Sequence, residues 1–342
     1  MLHGLPDFGL ERYFARWEFT APYLLCASDI EGLKLAELLD LADDESRTLW
    51  DGLSLGYTES TGHPALRREI ASLYETVAPD DVLTFAGAEE GILVAVASLL
   101  GPGDHAVVTW PCYQSLEEIG RGAGADVSRW ELRESEGWLP DPAELRALVR
   151  KTTKLIVVNF PHNPTGALPD LAAWDEIIAI ARECGAWLLS DEVYRGLEYD
   201  PTERLPAAVD RYERSLSLGV MSKAWALAGL RIGWIACCDA ELRHRMATRK
   251  DWTTICSSAP SEVLALMGLR ARALILERNL GIIRCNLPQL PARLRTAEHD
   301  RGALAPRSLH VGVTIARSAR LSIFPMGSRG RSAVIVKRFG TL

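Results

Sequence analysis

The chain has 342 residues, 48% of them hydrophobic and 24% charged, with a net charge of −7. That is length for roughly two domains, or for one large α/β domain with an appendage, and the acidic balance gives no global basic signature for nucleic acid. The longest aliphatic run, Ile92–Leu100, is far short of the roughly 20 residues that cross a bilayer, and no basic-then-apolar leader opens the chain, so a cytoplasmic protein without a membrane partner is expected.

Residues 1–50 interleave aromatics (Phe8, Tyr13, Phe14, Trp17, Phe19, Tyr23) with charges. This reads as an arm that packs on its own core or on a second subunit. Leu33–Leu41 has helical spacing, and Ser28, Asp29 and Gly32 suit a turn before it. DGLSLGYTESTG at 51–62 is a glycine- and hydroxyl-rich loop. Pro64 then suits the first turn of a helix, and Ala65, Leu66, Ile70, Leu73 and Val77 give that helix an apolar stripe.

From residue 82 the pattern alternates. VLTF reads as a strand, AGAEEG as a small-residue turn and ILVAVASLL as a helix. Free N–H groups at such a helix start attract an anion, although Glu89 and Glu90 equally suit the helix dipole and Gly87 a tight turn. Ala106–Thr109, Asp126–Leu132, Leu155–Asn159, Ala186–Ser190, Ser215–Val220 and Ile232–Cys237 read as further strands. Helices are expected over Gln114–Arg121, after Asp141-Pro142, and from about Asp170 to Cys184. Alternation of this kind predicts a mostly parallel sheet with helices on both faces, in which ligands sit beyond the carboxyl ends of the strands. Gly87, Tyr113, Asn163, Asp191, Tyr194 and Lys223 each follow a predicted strand. Beyond Asp239 the pattern turns helical.

The seven cysteines are odd in number and contain no CxxC pair. Reduced, buried thiols are expected, and no metal site. Residues 288–342 carry ten Lys and Arg against two acids, so this stretch is +8 and the 287 residues before it −15. It reads either as a basic tail for an acidic partner or as sequence foreign to the rest of the chain, for instance after a reading-frame shift; the second is preferred.

The strand-end residues make sense as one site. A desolvated lysine, Lys223, can form an imine with an aldehyde. Asp191 suits a protonated ring nitrogen, Arg231 and the Gly87–Glu89 turn a phosphate, Tyr113 a flat ring, and Asn163 and Tyr194 a ring oxygen. Together these are the requirements of pyridoxal phosphate. No GxGxxG follows a strand, which disfavours a dinucleotide oxidoreductase.

NFPHNPTG, SDEVY and SKAWALAGLRIGW, three motifs in order between Asp51 and Asn286, resemble those of the class I/II aminotransferases of the aspartate aminotransferase superfamily. The resemblance implies an α/β fold: a large domain with a mostly parallel, mixed seven-stranded sheet between helices, plus a smaller α+β domain. It divides the chain into 1–49 (arm and part of the small domain), 50–240 (cofactor-binding domain), 241–287 (connecting helices) and 288–342 (an atypical tail in place of most of the small domain). It implies that Lys223 is the internal-aldimine lysine, that Asp191 pairs with the pyridine nitrogen, and that Asn163 and Tyr194 contact the phenolic oxygen. Tyr113 would stack on the ring. Gly87, Ala88, Glu89, Ser222 and Arg231 would hold the phosphate. Tyr57 would reach the neighbouring subunit's phosphate, which makes the protein a homodimer.

Two departures stand out. Val220 replaces a serine common three residues before the lysine. The family's C-terminal arginine for the substrate carboxylate has no good counterpart, RLSIFPMG at Arg320 and RFGTL at Arg338 being poor likenesses. Amino-group transfer between an amino acid and a 2-oxo acid is the expected reaction. KDWTTICSSAPSE also resembles a subgroup that includes capreomycidine synthase, which keeps cyclisation of a modified arginine, or β/γ-elimination, as alternatives; an inactive cofactor-binding remnant is a third.

Overall fold

A computed structural model describes residues 4–21 and 27–287, together with two short strands at 310–312 and 322–324. In chain order the elements are α1 (Gly9–Trp17), α2 (Leu35–Asp40), α3 (Asp44–Asp51), α4 (Pro64–Ala71), β1 (Val82–Phe85), α5 (Ala88–Leu99), β2 (His105–Trp110), α6 (Gln114–Gly122), β3 (Asp126–Glu131), α7 (Pro142–Leu148), β4 (Thr153–Asn159), α8 (Leu171–Cys184), β5 (Trp187–Asp191), β6 (Ser215–Val220), β7 (Gly233–Ala236), α9 (Ala240–Lys250), α10 (Ala259–Arg270) and α11 (Arg272–Asn286). Two short strands, β8 (His310–Gly312) and β9 (Ser322–Phe324), pair antiparallel. The rest of residues 288–342, including Arg320 and Arg338, lies outside the described residues.

The seven strands β1–β7 form one sheet in the order β1-β7-β6-β5-β4-β2-β3. The pairs β2–β3, β2–β4, β4–β5 and β5–β6 are parallel, while β7 runs antiparallel to both β6 and β1. The sheet is therefore mixed and mostly parallel, as expected. β4 shows why it is buried on both faces. Leu155 and Val157 enter one core and Ile156 and Val158 the other, the two-sided burial that parallel strands require. The edge strand β3 alternates exposed and buried instead.

Helix starts follow local chemistry. Asp141, Asp170 and Asp239 each accept a backbone N–H from the first turn of α7, α8 and α9, and Gly185 closes α8 in the left-handed conformation. Two expectations change. α4 stops at Ala71, so Leu73 and Val77 lie beyond the helix, half-buried and packed against the core. α3, which the sequence pattern left unread, starts at Asp43, whose side chain accepts the Ser46 N–H at 2.9 Å. The cysteines are also less buried than expected. Among the described ones only Cys237 is fully buried, and Cys238 and Cys285 are exposed.

Direction matters most for function. β1, β2, β4, β5 and β6 all end at the same edge, and antiparallel β7 begins there. Gly233, the first residue of β7, stands opposite both Phe85 at the end of β1 and Val220 at the end of β6. Asn159 and Asp191, the last residues of β4 and β5, are register partners. Among the described residues no helix is long and apolar enough to cross a membrane.

Candidate active site

Lys223 lies three residues past the end of β6, in a loop pinned from outside the sheet. The buried Asn279 of α11 donates to the Ala224 carbonyl at 2.8 Å. Gly268 gives α10 room beside Leu227 and Met221; a Cβ there would lie 2.7 Å from the Leu227 side chain. The Lys223 amine is part-buried and donates to the Ser28 hydroxyl at 3.0 Å. Burial lowers its proton affinity and Arg231 adds to this, against the opposing charges of Asp29 and Asp191.

Asp191 is 6% exposed. Burial pushes its carboxyl up to about 7, although the Val193 N–H and the Lys223 amine both favour the charged form. Its backbone carbonyl accepts the Asn159 side-chain N–H at 2.9 Å, and the Asn159 oxygen accepts the Asn163 N–H at 2.7 Å. Asn159 thus ties the loop of Asn163 to the strand end of Asp191. Tyr194 is buried three residues beyond Asp191.

At the other end of the site is the turn into α5. Gly87 has φ +88°, and a Cβ on it would lie 2.6 Å from the Arg231 guanidinium. Arg231 itself sits in the left-handed region, at φ +54°, immediately before β7, and approaches the Ser222 hydroxyl at 3.4 Å. A Cβ on Gly233 would lie 2.7 to 2.9 Å from the Gly87–Ala88 peptide. Two glycines therefore let a guanidinium and a helix N-terminus converge, which is how a phosphate is held. Glu89 Oε2 and Ser115 Oγ are both buried beside this turn. Burial raises the Glu89 carboxyl, the Ser115 hydroxyl and the Arg231 charge oppose this, and Glu11 adds to it.

Tyr113, the residue before α6, stands between the turn and the N-terminal segment. Phe8 packs on its ring at 5.4 Å between centroids. Its hydroxyl donates to Glu11 at 3.4 Å, and Gln114 binds the backbone of Asp7 and Gly9. The aromatic arm thus packs on its own chain, over this site. Tyr57 is placed apart, 92% exposed on the surface. Val220, where the serine was missing, is a buried strand residue.

Most of the residues expected from sequence therefore meet at one sheet edge: Lys223, Asp191, Tyr194, Asn163, Tyr113, Gly87, Ala88, Glu89, Ser222 and Arg231. Ser28, Asp29 and Glu11 were not expected there. The SDIEG turn was the signal for the first two, but nothing local ties Ser28 to a lysine 195 residues away. The residues fit pyridoxal phosphate: an amine of lowered proton affinity lies within electrostatic reach of a buried carboxyl, and the glycine cradle leaves space that a Cβ would fill.

Comparison with known proteins agrees. Residues 23–298 match Aminotransferase class I and II. Capreomycidine synthase of Streptomyces vinaceus is 34% identical over 278 residues, 80% of this chain and 71% of that protein. Aspartate aminotransferase of Pyrococcus horikoshii is 34% identical over 184 residues, 52% of this chain and 47% of the relative. The arginine–pyruvate transaminase AruH of Pseudomonas aeruginosa is 32% identical over 52% of this chain and 47% of its own. This chain thus spans about half the length of the latter two. Among solved structures, a PLP-dependent aminotransferase from Streptococcus suis superposes with a TM-score of 0.79 at 35% identity, covering 84% of this chain and 77% of that one. The PLP-dependent cyclase OrfR does so with a TM-score of 0.77 at 27% identity, covering 86% and 76%. With the match spanning residues 23–298 and the same fold in its neighbours, the chain belongs to the aminotransferase class I and II family, which uses pyridoxal 5′-phosphate.

Proposed function

We propose that this protein transfers an amino group between an amino acid and a 2-oxo acid. The observation that carries the reading is the buried pair of Lys223 and Asp191, whose charges act on each other at one sheet edge, with the Arg231-backed turn beside them. The bound cofactor supplies an aldehyde for the amine and a ring that takes up electron density from the α-carbon. Lys223, its proton affinity lowered, removes and returns the α-proton as general base and acid. Asp191 holds the proton on the ring nitrogen. Asn163 and Tyr194 orient the ring oxygen, Tyr113 covers one ring face, and Gly87, Ala88, Glu89, Ser222 and Arg231 bind the phosphate. Residues 50–240 form the cofactor-binding unit, flanked by the arm at 1–49 and the helices at 241–287. Tyr57 serves the site of a second subunit, and the working form is a cytoplasmic homodimer.

A second reading is favoured by specific observations. Glu11, Asp29 and Glu89 all act electrostatically on Lys223 or its neighbours, a setting suited to a cationic substrate side chain. One relative is named an arginine–pyruvate transaminase, another is capreomycidine synthase, and a solved neighbour is a PLP-dependent cyclase. Cyclisation of an arginine derivative on the same residues is the alternative.

One preparation tests both. The purified protein loaded with pyridoxal phosphate is reduced with borohydride and mapped, and the adduct is expected on Lys223. Incubation with arginine and pyruvate, and separately with a hydroxylated arginine alone, then separates the readings. A 2-oxo acid and alanine mark transamination, whereas a cyclised product formed from a hydroxylated arginine, with no need for pyruvate, marks the cyclase. A protein that takes up no cofactor and gives no adduct overturns both readings and leaves an inactive remnant.

A further inference from the structure

His162 is the one ionisable side chain of NFPHNPTG, and the cofactor reading gives it no part. Its imidazole is 1% exposed and lies beside Phe160, with 6.4 Å between ring centroids. Both ring nitrogens are used. Nε2 lies 2.8 Å from the carbonyl oxygen of Pro111, and Nδ1 lies 2.7 Å from the Thr165 hydroxyl.

The partners fix the tautomer. A carbonyl only accepts, so Nε2 carries the proton and donates to Pro111. Nδ1 is then the acceptor, and the Thr165 hydroxyl donates to it. The Thr165 oxygen in turn accepts the Ala167 N–H at 3.2 Å. Burial lowers the imidazole's pKa to about 4, so the neutral form these bonds require persists throughout the neutral range.

The contact spans two segments that the sheet no longer joins. The β2–β4 ladder ends at the pair Val108–Val157. Beyond it, one chain runs through Pro111 to Tyr113 and the other through His162 to Asn163. Pro111 precedes Tyr113 by two residues, and His162 immediately precedes Asn163. Asn159 already anchors the Asn163 loop to β5. What it does not reach is the Tyr113 segment.

We propose that His162 is a positioning residue: as the Nε2–H tautomer it ties the Pro111 carbonyl to the Asn163 loop and so sets the spacing between the Tyr113 ring and the Asn163 amide. The consequence for cofactor binding rests on the roles proposed for Tyr113 and Asn163. The tie itself does not.

Two measurements keep these apart. The first is hydrogen exchange of segments 111–116 and 162–167 in the cofactor-free protein. His162→Phe keeps a buried ring but loses the donor, and one lost hydrogen bond is expected to speed exchange about tenfold in both segments together. Thr165→Val leaves the imidazole in place but removes the hydroxyl that fixes its tautomer, and about a threefold effect is expected in the same two segments. His162→Gln, which can place an N–H near Nε2, should restore slow exchange. The second is the dissociation constant for pyridoxal phosphate, read with the pH midpoint of the visible band of the loaded protein. His162→Phe should raise the constant about tenfold and shift the midpoint, with His162→Gln close to wild type. Exchange confined to 162–167, or unchanged in both segments for folded His162→Phe and for Thr165→Val, overturns the tie. Coupled exchange with an unaltered constant and midpoint upholds the tie and overturns the roles of Tyr113 and Asn163.

Discussion

Asp191 and Lys223 are held in a balance that only a third group resolves. Burial raises the carboxyl and lowers the amine, and each group partly offsets the other. The sign of the stability effect follows. Burial raises the Asp191 carboxyl in the folded protein to about 7, from an ordinary value of 3.8. It stabilises the cofactor-free fold below pH 4, and that contribution is lost as pH rises from 4 through 7. Linkage sets a ceiling of about 4 kcal/mol on it. Urea denaturation of the cofactor-free protein between pH 4.5 and 7.5 should show stability falling with pH, and Asp191→Asn should flatten part of that slope. Burial also raises Glu89, Glu192 and Glu262, so the difference between the two proteins is the measurement, and parallel curves would count against it. In the loaded enzyme, Asp191→Asn should cut turnover about 10²-fold or more, since the ring nitrogen loses its proton partner. At this scale the sequence was readable where chemistry is local. Lys223, Asp191 and Asn163 sit in short distinctive strings, whereas Ser28 and Glu11 reach the site only through tertiary packing.

Whole elements do the converging. The strands read well because parallel strands, buried on both faces, need near-continuous apolar runs, and the helix starts because aspartates announce them. The register could not be read, and the register is what places Gly233 between Phe85 and Val220. The apolar stripe that overran α4 has the same kind of cause: Leu73 and Val77 keep helical spacing, but they pack half-buried against the core beyond the helix end. The Gly233 contact gives a test. A Cβ there meets backbone atoms of Gly87 and Ala88, which cannot swing aside as a side chain would. Gly233→Ala should destabilise the protein by about 1–3 kcal/mol and weaken phosphate binding more than its loss of stability alone accounts for. Gly229→Ala, with nothing within 4 Å of the new Cβ, is the control and should change neither. Cofactor affinities that track melting temperature alike in both variants would show that the β7 start does not shape the turn.

On the scale of the whole molecule, the surface suggests what completes the site. Leu55, Tyr57 and Trp252 are 84%, 92% and 88% exposed. The loops that present them are hydrogen-bonded to one another and to α5. Thr58 donates to the Ser257 carbonyl at 3.2 Å, the Lys250 amine to the Ser60 carbonyl, and Thr254 to Glu90 at 2.8 Å. Glu90 also accepts the Ala86 N–H at 2.6 Å, which fastens this surface to the turn into α5. Members of the family are typically dimers, and the expectation that Tyr57 acts across an interface can be tested by complementation. Lys223→Ala and Tyr57→Ala chains should each be impaired as homodimers. If each site combines its own Lys223 with the other chain's Tyr57, random subunit exchange makes about half of the dimers mixed, each with one intact site. About a quarter of all sites should then regain wild-type cofactor spectra and turnover. If Tyr57 acts within its own chain, mixing restores nothing: the Tyr57→Ala chain keeps its own defect, and the Lys223→Ala chain still lacks its amine. Recovery therefore depends on Tyr57 acting in trans, and its absence from demonstrably mixed dimers would remove Tyr57 from the neighbouring site.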